Sequence, residues 1–210
     1  MKRIVRKDIN TKEYWNNVYE KGIDPEVIKM DEFKFRNIAH YIVAGKVLDL
    51  GCGTGELCKT ILEERPHCDV YGVDFSGVAI EKARKLNEGH FFEVADVAAT
   101  GFSDKEFDYV ISSEMLEHLE EPKELIKEAA RVLKPYGVFI LTTPFEDHIP
   151  SIEHLWEFNY SDIENMLFKW FSNFWVFPWA AGWSEVRETK NQALVYPKGH
   201  WDTIMALAIK

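Results

Sequence analysis

An apolar strand that runs straight into alternating glycines constrains the fold of this chain more than any other feature. In "KVLDLGCGTGEL" an apolar, β-branched run reaches Leu50, Gly51, Gly53 and Gly55 follow, and Leu57, Ile61 and Leu62 then recur at helical spacing. Glycines lack β-carbons, so the backbone can turn sharply and approach a ligand, while the first amides of the next helix point at whatever occupies the turn. Taken alone, such a turn would serve a dinucleotide too.

The alternation of strand and helix continues on both sides. Phe33, Ile38, Tyr41 and Ile42 predict a helix before the first strand; "CDVYGVDF" reads as a second strand, and "SGVAIEKARKLN" as a helix that Ser76 can cap. "HFFEVADV" and "FDYVISSE" are the third and fourth strands, "PKELIKEAARVLKP" a helix opening at Pro122 and ending before Pro135, and "GVFILTTP" the fifth strand. Strands joined by helices at this spacing imply right-handed crossovers and helices on both faces of a parallel sheet. Beyond Pro150 the texture becomes aromatic, with a helix from Ser161, a strand in "FSNFWVFPW" and a last strand in "WDTIMALAIK". The expectation is an α/β fold: a Rossmann-like, doubly wound, seven-stranded, mostly parallel sheet with an antiparallel C-terminal edge strand.

Composition narrows the partners. With 210 residues and 46% hydrophobic content, the chain suits one domain with a sizeable core. Its 35 acidic and 25 basic side chains leave a net charge of -10, which argues against a broad phosphate-binding face, so nucleic acid is a secondary expectation behind a small-molecule substrate. Cys52, Cys58 and Cys68 cannot all pair and form no Cys-x-x-Cys, which suits a reducing, cytoplasmic setting. No stretch approaches the length of a membrane span, and no membrane association is expected.

Acidic residues stand at the strand ends around the glycine turn. Asp49, just before the turn, would be awkward beside a pyrophosphate but suits an ammonium group; Asp74 ends the second strand, where a carboxylate accepts both hydroxyls of a ribose, and Asp96 ends the third, placed to hold an exocyclic amine. Together "VLDLGCGTGEL", "VYGVDFS", "VADV", "FDYVISSEMLEHLEEP" and "ARVLKPYGVFILTTP" resemble the ordered motifs of class I S-adenosylmethionine-dependent methyltransferases, over about residues 46–144. The resemblance implies S-adenosyl-L-methionine as cofactor, with Asp49 and the loop of Gly51, Cys52, Gly53 and Gly55 around its methionine portion. It implies Asp74 and Phe75 at the ribose, Asp96 and Val97 near the adenine, and Ser113 or Glu114 on the fourth-strand side. Upstream, "EYWNNVYEKG" resembles the segment that folds over the cofactor in many such enzymes, with Tyr14, Trp15 and Tyr19 closing the pocket; a helix that simply packs these aromatics on the sheet is the other reading. The implied division of the single domain is a covering segment (1–45), a cofactor-binding core (46–144) and an aromatic-rich substrate lid with closing strands (145–210).

"SSEMLEHLEEP" gathers Glu114, Glu117 and His118 at positions i, i+3 and i+4, which share a face if they lie on one helical turn. Two carboxylates pointed together repel unless a proton or a cation lies between them. His154, in "SIEHLWEFNYSDIE", follows the fifth strand and can reach the same sheet edge. Glu-x-x-Glu-His followed by a later His resembles the metal-binding set of small-RNA 3′-terminal 2′-O-methyltransferases, and the shorter motif that of ubiquinone-pathway O-methyltransferases. The resemblance implies that Glu114, Glu117, His118 and His154 hold a divalent metal, Mn²⁺ or Mg²⁺, with the imidazoles favouring Mn²⁺, Fe²⁺ or Zn²⁺. Without metal, His118 or His154 would take the acceptor proton beside Glu117; a packed His118 and a solvated Glu117 form the bland alternative.

The aromatic tail (Trp156, Trp170, Phe171, Phe174, Trp175, Phe177, Trp179, Trp183) suggests a lid for a ring or a sugar, and Trp156 and Phe158, beside His154, are the expected substrate contacts. The expected reaction is O-methylation of a hydroxyl on a small metabolite, sugar or natural product. RNA 3′-terminal 2′-O-methylation, metal-free small-molecule N-methylation, and a non-enzymatic scaffold that merely binds the cofactor are the alternatives.

Overall fold

The computed structural model describes residues 1–4, 10–145, 152–179 and 203–210. Along the chain run β1 (Lys2–Arg3), α1 (Lys12–Lys21), α2 (Pro25–His40), β2 (Gly45–Leu50), α3 (Glu56–Glu64), β3 (Cys68–Asp74), α4 (Gly77–Leu86), β4 (Phe91–Val94) and β5 (Phe107–Ser113). A short 3₁₀ turn (Leu116–His118) leads to α5 (Pro122–Val132), β6 (Leu133–Pro144), β7 (Trp156–Glu157), α6 (Tyr160–Leu167), β8 (Asn173–Trp179) and β9 (Thr203–Ile209).

The central sheet has seven strands in the order β4-β3-β2-β5-β6-β9-β8. Neighbours from β4 through β6 are parallel, and β9 runs antiparallel to both β6 and β8. The expected α/β sheet is therefore present, with the antiparallel strand at its C-terminal end slotted between β6 and the outermost β8. Strand alternation sends side chains to two cores. Leu48, Leu50, Val110 and Leu141 pack with α5 and α6, whereas Val47, Val70, Ile111 and Ile140 pack with α2, α3 and α4.

Local chemistry explains the element ends. Ser76 caps α4 by accepting from the Ala79 amide, and Asn159 and Asp162 form a reciprocal capping box at α6. The helix expected to continue almost to Pro135 stops at Val132, and β6 begins at Leu133, because a proline disfavours helical backbone in the residue before it and Leu133 finds a strand partner in Phe107. A small ribbon of β1 against β7, pairing Lys2 with Glu157 and Arg3 with Trp156, has no sequence signal, since two-residue strands carry no period. Trp183 lies outside the described residues. No helix among the described residues is long and apolar enough to cross a membrane.

Candidate active site

The carboxyl ends of β2, β3 and β5 open into a cavity of about 490 Å³. Of the expected cofactor residues, Trp15, Asp49, Gly51, Cys52, Gly53, Asp74, Phe75, Asp96, Val97, Ser113 and Glu114 line it. Tyr14 and Gly55 do not. Tyr14 turns its hydroxyl to Glu153 Oε1 at 2.6 Å, which helps push the phenol up to about 12. Gly55 caps α3 at φ 88°, where an added Cβ would lie 2.6 Å from Asn87 Nδ2 and 3.2 Å from the Ala83 backbone, so it shapes the turn from behind.

Asp74 organises the loop. Its Oδ2 accepts from the Gly53 amide at 3.1 Å and its Oδ1 from the Ser76 amide at 2.8 Å, while the Gly51 and Cys52 amides donate to the Val73 carbonyl. Burial raises the Asp74 carboxyl above its ordinary pKa against the pull of these amides. Asp49 is deeper, 2% exposed, and accepts from the Cys58 thiol at 3.5 Å; burial pushes it up to about 7, with Cys58 lowering it and Asp74 raising it further. Asp96 lies beyond the end of β4, which stops at Val94, and turns one oxygen to the Ala98 amide at 2.8 Å.

The N-terminal helices complete the walls. Trp15 and Tyr19 of α1 line the cavity, and Tyr19 stands over the loop, its hydroxyl 3.2 Å from where a Gly53 β-carbon would sit. Ser76 donates to Asn16 Oδ1 at 2.6 Å, which ties α1 to the cap of α4. From α2, Val27, Asp31, Lys34 and Phe35 present one face. Lys34 and Asp31 were not anticipated: in a charge-rich helix a lysine reads as solvated, and its phase with Val27 and Asp31 was the one available signal. Lys34 is 7% exposed, its Nζ 3.1 Å from Asp31 and 3.7 Å from Glu114. Burial works against the ammonium, but Glu114 and Asp31 outweigh it and hold its pKa above the usual range.

The Glu-x-x-Glu-His segment departs from the expected helical turn. Glu114 adopts left-handed backbone at φ 51° and only residues 116–118 form a 3₁₀ turn, so the two carboxylates diverge. Glu114 faces the cavity and Lys34. Glu117 points inward, 1% exposed, accepting from Thr143 Oγ1 at 2.8 Å. Its Oε1 lies 3.7 Å from His118 Nε2, and one donor atom each from Glu117, His118 and His154 lie within 4.8 Å of one another. His118 Nδ1 donates to the Glu153 carbonyl at 3.1 Å, which leaves Nε2 as the basic nitrogen of a neutral ring. Burial, with Glu114 nearby, pushes Glu117 up to about 8, and burial lowers His118. The expected quartet is thus a trio, with Glu114 elsewhere. Only His118 of that trio reaches the cavity wall, where Trp15 meets its ring edge-on at 5.2 Å.

The expected substrate contacts are displaced. Phe158 is fully buried in the core shared with Leu116 and Ile163, and Trp156 donates Nε1 to the Leu119 carbonyl at 2.8 Å beneath the Arg3 guanidinium. Neither lines the cavity, because the segment after β6 spends these rings sealing the seam against α5 and α6.

Sequence and structure comparisons agree with this architecture. Over 105 residues the chain is 35% identical to the ubiquinone/menaquinone biosynthesis C-methyltransferase of Desulfotalea psychrophila, covering 48% of this chain and 43% of that protein. Over 103 residues it is 36% identical to the ubiquinone biosynthesis O-methyltransferase of Idiomarina loihiensis, covering 47% and 42%. The matches thus span under half the length of these relatives. A solved structure of Haemonchus contortus phosphoethanolamine N-methyltransferase 2 in complex with S-adenosyl-L-methionine shares the fold with a TM-score of 0.61 at 23% identity, covering 70% of this chain and 38% of that one. The sequence profile described as "Methyltransferase domain" matches residues 43–194, and the chain accordingly belongs to the methyltransferase domain family.

Proposed function

We propose that this protein is an S-adenosylmethionine-dependent methyltransferase that methylates a hydroxyl of a small metabolite, sugar or natural product. The observation that carries the reading is the convergence of Asp96, Asp74, the glycine loop and Ser113 on one cavity, in the order of the strands that bear them, with His118 on the same wall. Laid along those strand ends, the cofactor would place its adenine by Asp96, its ribose by Asp74 and its sulfonium by the loop. Trp15 and Tyr19 would exclude water above it.

In this reading the sulfur–methyl bond breaks as the oxygen–carbon bond forms, and the hydroxyl proton must leave. His118 is suited to accept it at Nε2, since the Glu153 carbonyl holds the other nitrogen protonated and burial keeps the ring neutral. A divalent ion is the second reading. Glu117, His118 and His154 fit one: their donor atoms converge, and among the described residues no lysine or arginine forms an ion pair with the buried Glu117. When bound, such an ion would supply Lewis acidity toward the acceptor hydroxyl. The displacement of Glu114 and the net charge of -10 weigh against the RNA-terminal alternative.

The test is transfer of a labelled methyl group to a panel of hydroxylated and amine acceptors, paired with elemental analysis of protein purified without chelator. Labelled ethers, lost with cofactor affinity intact in Glu117→Ala and His154→Ala, are expected. Labelled amines alone would overturn O-methylation, and labelling of no acceptor despite tight cofactor binding would favour a scaffold role.

A further inference from the structure

Loops that carry binding residues depend on the scaffold beneath them. Asp96 and Val97 reach the cavity from the connection after β4, and Asp96 is itself exposed. They sit in a closed turn: the Ala99 amide donates to the Asp96 carbonyl at 3.0 Å, and the Asp96 carboxylate accepts from the Ala98 amide at 2.8 Å. One foot of this turn is tied to β3, where the Ala95 amide donates to the Asp74 carbonyl at 3.1 Å. The other foot is Thr100, and it is held from α5. Glu128 Oε1 accepts from the Thr100 amide at 2.8 Å and from the Thr100 hydroxyl at 2.6 Å. Arg131, one turn further along α5, donates to both Glu128 oxygens at 2.7 and 2.8 Å, and also to the Phe102 carbonyl and to Asp104.

Glu128 and Thr100 are both buried, and neither Glu128 nor Arg131 lines the cavity. Burial works against the Glu128 charge, but Arg131 and Thr100 outweigh it and hold the carboxyl below its ordinary pKa, so the group stays an anion. A buried ion pair is weak evidence for stability, since apolar residues of similar volume often do as well. What this pair supplies is direction. Its bonds leave the helix for a single backbone connection, the one that bears Asp96 and Val97. We propose that Glu128, braced by Arg131, is a positioning residue for adenine selection: it fixes the turn of residues 96–99 where the Asp96 carboxylate meets the exocyclic amine. The inference rests on the cofactor assignment above and adds to it a residue outside the cavity. The coupling is mechanical. With the Thr100 foot released, the turn keeps its internal bonds but pivots on the Asp74 foot, and Asp96 loses its aim while the ribose site and the glycine loop keep theirs.

Calorimetric titration with S-adenosylhomocysteine and with S-inosylhomocysteine, which carries a carbonyl oxygen in place of the exocyclic amine, reads the selection directly. The parent is expected to prefer S-adenosylhomocysteine, since a carboxylate accepts from an amine and repels a carbonyl. Glu128→Gln should cut that preference by about tenfold, the loss of one well-aimed bond to a charged group. Thr100→Val, which keeps the shape and removes only the hydroxyl, should cut it by about threefold, and it decides the matter if Glu128→Gln does not fold. In an Asp96→Ala background, where the preference is already lost, Glu128→Gln should change it by less than about twofold. A residue that only stabilises the fold would lower Tm and leave the preference alone. An unchanged preference in the folded variants, or an equal cut with and without Asp96, would therefore overturn the proposal. Failure of the parent to bind either ligand would instead overturn the cofactor assignment, and binding of both without preference would overturn the pairing of Asp96 with adenine.

Discussion

Asp49 shows how a single buried carboxylate ties stability to ligand chemistry. Its pKa is raised by burial from the carboxylate range to about 7, so the folded protein holds a proton that the unfolded chain releases near pH 4. Stability from this group is full below the unfolded value and is lost as pH rises toward 7. The advantage of Asp49→Asn, neutral at every pH and close in shape, over the ligand-free parent should already be present at pH 5 and should grow by on the order of 1–3 kcal/mol between pH 5 and pH 8.5, or about 2–4 °C of Tm per kcal/mol. Thermal unfolding at the two pH values checks it; equal gains at both would mean that Asp49 is already ionised. The positions of Asp49, Asp74 and Gly51 were legible because strand-end acids and glycines announce themselves. Lys34 was not, since burial of a lysine depends on what the helix packs against and leaves no mark on composition.

At the scale of elements, α1 has no fully buried residue and is held by polar contacts: Asn16 to Ser76, Tyr14 to Glu153, and Lys82 to the Tyr19 carbonyl. Such an element opens at low free-energy cost. S-adenosylhomocysteine, bound beneath Trp15 and Tyr19, should slow amide exchange across Lys12–Lys21 by at least about tenfold, a coupling of about 1.4 kcal/mol. Exchange that ignores the ligand would mean that α1 does not cover it. The helix itself was legible as one of two readings of its aromatics, and its Thr11 cap went unread. The Glu-x-x-Glu-His turn was misjudged for a physical reason: spacing i, i+3, i+4 implies a shared face only if the helix is already running, and the left-handed step at Glu114 resets the phase.

For the whole molecule, β9 holds the two cores together. Ile204, Ala206 and Ala208 enter one and Met205 the other, while the strand's backbone pairs with both β6 and β8. Met205→Lys, which buries an unpaired charge at a fully buried site, should cost on the order of 3 kcal/mol or more and lower Tm by roughly 10 °C. A Tm within a degree or two of the parent would mean that β9 pairs more loosely than its register indicates. The parallel half of this sheet was legible from alternation alone. The order of its last strands was not, because antiparallel pairing between distant segments follows from which faces remain uncovered once the crossovers are built. The central claim is that the cavity at the ends of β2, β3 and β5 binds S-adenosylmethionine through Asp74. Its most direct test is calorimetric titration of the wild-type protein and Asp74→Ala with S-adenosylhomocysteine: saturable one-to-one binding, weakened by on the order of 1–3 kcal/mol in the variant, is predicted, and no binding, or binding indifferent to Asp74, would contradict it.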